Sequence, residues 1–263
     1  MHIAMISLFP ELIEAASGYG VVGRAISREL VDVELINPRT FTTDKHNTVD
    51  DRPYGGGPGM VMMDEPLRRA EAAAQQGYAQ SEPDKPRLPV IYLSPGGERL
   101  NQAMVSEFAA LPGMILIAGR YEGVDERFVA GEVDREISVG DYVLSGGELP
   151  ALVLLDAVAR LLPGVLGNSA SAVSESHLDG LLDYPHYTRP ENSAHGEVPP
   201  ILLQGDHGAI DRWRRKQALI RTWQRRPDML SERVLSKEER QLLAEGLAEL
   251  DALASDSKKI TNR

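Results

Sequence analysis

Between Met114 and Gly164, five glycines (Gly119, Gly123, Gly140, Gly146 and Gly147) are interleaved with Arg120, Tyr121, Glu122, Asp141 and Glu148. Glycine lets backbone N–H groups come close to a ligand, and the polar side chains between them add charge and hydrogen-bonding groups. The spacing fits neither GxGxxG nor GxxxxGK[ST]. No Lys-Ser or Lys-Thr pair follows a glycine turn, so a Walker-type phosphate cradle is unsupported. A second concentration is basic: Arg212, Arg214, Arg215, Lys216, Arg221, Arg225 and Arg226 crowd together with Trp213 and Trp223. Such cations suit a nucleic-acid backbone. The chain as a whole carries −11, yet charges more than about 8 Å apart are largely screened at physiological salt, so a local patch can still bind RNA. A third feature is the polar loop Phe41 to Gly59, stiffened by Pro53 and Pro58 and opened by Gly55, Gly56, Gly57 and Gly59. A loop built this way can cradle a base or a backbone.

These groups need elements to position them. Met114 to Ala118 reads as an apolar strand ending at Gly119–Gly123, followed by a short helix around Val124 to Ala130. A strand at Glu136 to Val139 runs into Gly140-Asp141-Tyr142, and an apolar helix, about Pro150 to Leu162, closes the unit. Upstream, the pattern predicts strands at Ile3 to Leu8, Val31 to Ile36 and Pro89 to Leu93, the last ending at Ser94-Pro95-Gly96-Gly97. It predicts helices opening at Phe9-Pro10-Glu11 and spanning Gly23 to Leu30, Glu65 to Gln76 and Asn101 to Ala110, with a surface loop from Gly77 to Pro89. Alternating strands and helices indicate an α/β sheet, and ligands bind at the strand ends of such sheets. Gly167 to Asp179 is small and polar, the clearest linker in the chain. Beyond it, Ile210, Trp213, Ile220 and Trp223 recur at roughly helical spacing, which sends the arginines to the other faces. Ser236 to Leu253 is a further amphipathic helix, with Ser236 and Glu239 forming an S-x-x-E box.

The 263 residues are 42% hydrophobic, enough for one large or two modest domains. No apolar run reaches the roughly 20 residues of a membrane span, and the first residues lack the pattern of a signal peptide. A soluble, cytoplasmic protein without a membrane partner is therefore expected. The chain has no cysteine, which excludes disulfides and Cys-based zinc sites. Its six histidines show no ligand spacing, so no metal site is expected.

The motifs GRYEGVDER, EISVGDYVLSGGELP and DAVARLLPGVLGN closely resemble those of the bacterial tRNA (guanine(37)-N(1))-methyltransferases, a family of the SPOUT class. DDRPYGGGPGMVM (Asp50 to Met62) and LLDYPHYTRP (Leu181 to Pro190) extend the match over almost the whole chain. The resemblance implies an α/β fold: a knotted, mostly parallel sheet with flanking helices plus a small C-terminal helical domain. It implies a catalytic domain over 1–166 that binds S-adenosylmethionine, a flexible linker over 167–180 and a tRNA-binding helical domain over 181–263. The activity implied is methyl transfer to ring nitrogen 1 of the guanine at position 37 of tRNA, by a homodimer whose subunits share the active site. Cofactor contacts carried over by motif are Tyr92, Leu93, Ser94, Gly119, Tyr121, Glu122, Ser138, Val139, Gly140, Asp141, Tyr142, Val143, Leu144, Gly146, Gly147 and Pro150. Asp50 and Gly59 fall in the substrate guanine pocket, and Arg214, Arg215 and Arg221 are assigned to the tRNA. The linker base of the family, usually Asp, aligns with Glu175, with Asp179 and Asp183 as fallbacks; the family arginine aligns with Arg160. The resemblance also implies a divalent cation such as magnesium, for which the sequence offers no recognisable site. Action on another RNA or base, and an RNA-binding homologue impaired in catalysis, are the alternatives that these residues leave open.

Overall fold

In the computed structural model, which describes residues 1–166, 179–231 and 233–261 with side chains through residue 252, the apolar run after Met1 becomes β1 (His2–Ile6). Helices α1 (Pro10–Ser17) and α2 (Gly20–Ser27) and strand β2 (Asp32–Ile36) follow. Next come the short strands β3 (Asp50–Asp51) and β4 (Val61–Met62), which pair antiparallel and fold the expected Phe41 to Gly59 loop back on itself. Then follow α3 (Asp64–Ser81), β5 (Val90–Arg99), α4 (Gln102–Ala109), β6 (Gly113–Ala118), α5 (Glu126–Glu132), β7 (Arg135–Ser138) and α6 (Glu148–Ala159).

Five of these strands form one sheet in the order β2-β1-β6-β5-β7, and every pairing is parallel. Parallel strands are covered on both faces and so read as continuous apolar runs; all six residues of β6 are buried. One face packs on Ile13 of α1, Ala25 of α2, Phe108 of α4 and Leu154, Leu155 and Val158 of α6. The other packs on Leu67, Ala70, Ala74 and Tyr78 of α3 and Phe128 of α5. This two-sided burial matches the mostly parallel α/β sheet with flanking helices.

Three boundaries differ from the sequence pattern, each for a tertiary reason. Helix α3 continues through Gly77 to Ser81 because Tyr78 is drawn into the core, and packing overrides the weak helix propensity of glycine. Strand β5 does not end at Ser94-Pro95-Gly96-Gly97. Those residues bulge out and the strand re-pairs, so that Leu93 and Glu98 both face Ile137 of β7; a bulge of this kind re-aims the side chains around it. Helix α6 starts at Glu148, two residues before Pro150, and stops at Ala159, with Arg160 as its C-cap.

The chain divides into two compact units, Met1–Ala172 and Val173–Arg263. In the second, a small hairpin pairs β8 (Asn192–Ser193) with β9 (Gly196–Glu197). It is followed by α7 (His207–Arg225), α8 (Pro227–Ser231) and α9 (Lys237–Thr261). Leu181, Ala218, Leu219 and Leu242 form its core. The S-x-x-E box forms as expected: Glu239 N–H donates to Ser236 Oγ at 3.1 Å, and Ser236 N–H to Glu239 Oε2 at 2.7 Å.

Candidate active site

Loops at the bulge of β5 and at the C-terminal ends of β6 and β7 meet and enclose a cleft of about 180 Å³. Tyr92, Leu93 and Ser94 line it from the part of β5 that precedes its bulge, and Gly119, Tyr121 and Glu122 from the loop after β6. Ser138, Val139, Gly140, Tyr142, Val143, Leu144, Gly146 and Gly147 line it from the loop after β7, and Pro150 from α6. Of the residues assigned to the cofactor by motif, Asp141 alone is absent from this lining. Its side chain is 80% exposed and reaches Arg99 at 3.5 Å instead. The lining also includes Pro95, Arg120, Gly123, Ile137 and Ser145, which the motifs did not assign to the cofactor. Arg120, Gly123 and Ser145 lie inside the glycine turns already singled out, and that position was the available signal.

The cleft is held by close backbone packing. Gly147 N–H donates to the Gly119 carbonyl at 2.8 Å, and a Cβ on Gly147 would stand only 2.6 Å from Ala118 Cα. Any side chain there would push the two loops apart. Gly140, at φ 154°, turns the chain after β7 through backbone space that side-chain residues rarely enter; its N–H donates to Ser138 Oγ at 3.2 Å. Arg120 crosses the floor: Nε donates to Glu148, Nη1 donates to the Ser145 carbonyl at 3.1 Å, and the guanidinium lies 4.5 Å from the centre of the Phe9 ring. Burial, and then the negative charges of Glu136 and Glu126, push the Tyr92 phenol up, so it stays a neutral hydrogen-bonding group at neutral pH.

The Asp50–Met62 segment packs on the same rim. Glu122 N–H donates to the Met60 carbonyl at 3.0 Å, and Met62 N–H to the Gly123 carbonyl at 2.9 Å. A side chain at Gly59 would run into Glu122. The Tyr121 phenol is pushed up by burial first and by the nearby Asp50 carboxylate second. Tyr121 itself sits at φ 61°, a left-handed conformation that costs energy for a bulky residue and recurs at functional sites. Asp50 and Gly59, expected at the substrate guanine, thus stand beside Tyr121 and Glu122, expected at the cofactor.

Arg160 is not part of this cleft. It caps the C-terminal end of α6, whereas Pro150 lines the cleft near the helix's N-terminus. Twelve helical residues span about 18 Å at 1.5 Å per residue, beyond the reach of an arginine side chain. Glu175 lies outside the described residues. Asp179 is engaged by Arg215 and, at 4.0 Å, by Arg233.

The basic stretch on α7 divides into two kinds of cation. Arg212 and Lys216 pair with Glu245 and Glu249 of α9 at 2.9 and 2.6 Å. Arg215 bonds both Asp179 and Glu239. The expectation that these side chains all leave the packed face is therefore corrected: several of them staple α7 to α9, because the acidic face of α9 lies against them. Arg214 rests 5.0 Å from the Tyr184 ring centre, with Asp211 3.4 Å from Nη1. Arg221 makes no ion pair among the described residues. Among those residues, no group of three or more His, Cys, Asp or Glu side chains could hold a metal ion, and no helix is long and apolar enough to cross a membrane.

Comparison with known proteins bears on what this cleft does. Residues 1–232 match the family described as tRNA (Guanine-1)-methyltransferase TrmD. A protein of Methylococcus capsulatus named tRNA (guanine-N(1)-)-methyltransferase is 58% identical over 245 residues, covering 93% of this chain and 95% of that protein. Proteins of the same name are similar at 56% identity in Tolumonas auensis (96% of this chain, 99% of that protein) and at 57% in Salmonella schwarzengrund (93% and 94%).

Proposed function

The chain belongs to the tRNA (guanine-1)-methyltransferase family and is an enzyme that methylates N1 of a guanine in tRNA, and from that premise we propose that it acts on the guanine at position 37, next to the anticodon. In this reading S-adenosylmethionine occupies the cleft at the β5 bulge and the ends of β6 and β7, the active form is a cytoplasmic homodimer, and each active site is shared between two subunits. The assigned domains, 1–166 for catalysis, 167–180 as linker and 181–263 for tRNA, belong to the same reading, as does the trefoil knot.

The observation that carries this reading is the cleft. Its lining includes Gly119, Gly140, Gly146 and Gly147, whose backbone is open to a ligand, with tyrosine rings and serine hydroxyls around them and the charged Arg120 and Glu122. Such a lining fits the adenine and ribose of S-adenosylmethionine, which offer hydrogen-bonding edges and flat faces. When bound, this cofactor supplies an electrophilic methyl group. The protein's own residues do the rest. N1 of guanine carries a proton and is a poor nucleophile until it is removed, so a general base is needed. Glu175 takes that proton; it has the same acid chemistry as the usual Asp and one more methylene. As the proton leaves, negative charge grows on the neighbouring carbonyl oxygen, and the always-charged guanidinium of Arg160 stabilises it. Asp50 and Gly59 hold the guanine at the rim, beside Tyr121.

Two features support the shared site. Arg160 lies about a helix length from the cleft of its own chain, so an Arg160 that faces the reacting guanine is most simply supplied by a partner subunit. Helix α6 also leaves Leu149 and Val153 each 51% exposed, and α1, which packs against α6, leaves Leu12 partly exposed. A two-fold partner would cover such a patch. The direct test is transfer of labelled methyl from S-adenosylmethionine to tRNA transcripts that differ only at position 37. Incorporation with guanine and none with adenine is expected; equal incorporation would relocate the target base.

A further inference from the structure

The second unit carries a cleft of its own, formed by the Tyr184–Glu191 segment against α7. Six side chains give it its character: Tyr184, His186, Tyr187, Arg189, Trp213 and Arg214. The rings of Tyr184 and His186 lie 4.7 Å apart, and those of Tyr187 and Trp213 lie 6.4 Å apart at 53°. The Arg214 guanidinium lies over the Tyr184 ring, and its Nε is buried without a hydrogen-bond partner among the described residues. Tyr187 remains 48% exposed.

This combination is selective about its occupant. The aliphatic side chains Val198, Leu202, Leu203 and Ile210 also line the cleft, but its rings are set among guanidinium groups, which an aliphatic groove for a helix or a peptide would not require. Unstacked RNA bases stack on aromatic rings and on arginine planes, while the same arginines meet the phosphates. Charge points the same way: two arginines line the cleft against one carboxylate, Glu191. Asp211 holds Arg214 at 3.4 Å and is itself exposed, a contact long enough for a phosphate to displace. We propose that this cleft binds an unstacked nucleotide of the substrate RNA, with its base against Tyr187 and Trp213 and its phosphate at Arg189 and Arg214. The proposal rests on tRNA being the substrate and adds to it a nucleotide-binding site in the second unit.

The test uses full-length protein and a tRNA transcript in equilibrium binding across a salt series. Tyr187→Ala should weaken tRNA binding about 5- to 150-fold, the range for one lost stacked base, with the salt slope unchanged. Tyr187→Phe should retain near wild-type affinity, because it keeps the ring. Arg189→Ala should lower the slope of log affinity against log salt by about 0.9, the value for one phosphate on a duplex, or about 0.7 on a single strand. S-adenosylmethionine affinity should stay constant in all three. Transcripts carrying 4-thiouridine in the anticodon arm should photo-crosslink to the peptide containing Tyr184 to Arg189. Wild-type tRNA affinity in Tyr187→Ala, or a crosslink elsewhere only, would overturn the proposal while methyl transfer by the wild type still upheld the enzyme's function. A change in sedimentation on Tyr187→Ala, with tRNA affinity intact, would reassign the cleft to a contact between copies of the chain.

Discussion

Glu148, 1% exposed, accepts Arg120 Nε–H through both carboxylate oxygens at 3.0 and 2.9 Å, and Ser7 Oγ–H donates to it at 2.8 Å. The carboxylate sits in the first turn of α6, where the helix dipole favours negative charge. The pair ties the end of β1, the loop after β6 and the start of α6 into one floor beneath the candidate cofactor cleft. Removing one partner of a buried ion pair leaves an uncompensated charge and typically costs about 3–5 kcal/mol. Glu148→Ala should therefore unfold at lower denaturant by about that amount and bind S-adenosylmethionine more weakly. Chemical denaturation and titration calorimetry check both. An unchanged midpoint would mean that the loops hold without this pair.

The two kinds of arginine on α7 should separate in experiment. Arg215 joins Asp179 and Glu239 and holds the second unit together, so Arg215→Ala should cost stability, about 1–3 kcal/mol after allowing for its partial exposure. Arg221→Ala should leave the melting temperature alone and lower the salt slope of tRNA binding by about 0.7–0.9. A stable Arg215→Ala that loses tRNA affinity as much as Arg221→Ala would reverse the assignment.

Glu239 gives the second unit a pH dependence. Burial pushes its carboxyl up, but the Ser236 N–H and the Arg215 and Arg233 guanidiniums outweigh burial and hold it below the ordinary value. A carboxyl depressed in the folded state contributes stability above its unfolded pKa, and that contribution is lost as pH falls through the folded value. Melting followed from about pH 6 to about pH 3 should show this acid loss in the wild type and a shallower one in Glu239→Gln. The variant should also be less stable at pH 7 by about 2 kcal/mol, because it loses the charge at a helix cap. Parallel curves for the two proteins would assign the acid sensitivity to other groups.

Subunit complementation addresses the shared site. Gly140→Trp should block the cofactor cleft, and Glu175→Gln should lower methyl transfer on the order of 100-fold by removing the base. Each is expected to be inactive alone. Mixed and allowed to exchange, they should form heterodimers with one intact site, and activity should return to roughly a quarter of wild type for random two-fold pairing. Folded heterodimers, verified by mass spectrometry, that stay inactive would show that each chain completes its own site.

The family motifs and the glycine turns were legible in the residues themselves, because backbone approach to a ligand demands glycine at fixed places. The alternation of apolar strands with helices predicted a parallel α/β sheet for the same kind of reason: strands buried on both faces carry no polar period. The S-x-x-E box was equally local, since both of its hydrogen bonds close within four residues. Long-range packing decided the rest. Gly77 stays helical because Tyr78 is buried, and β5 resumes beyond its bulge because β7 offers it backbone partners. Asp141 turns to Arg99 and out of the cleft, although its neighbours line it. In the stretch that forms α7 and its C-cap, sequence counted seven cations; the acidic face of α9 then drew Arg212, Arg215 and Lys216 into ion pairs. Helical spacing shows which residues share a face, but only the element packed against that face determines which charges remain available to a ligand.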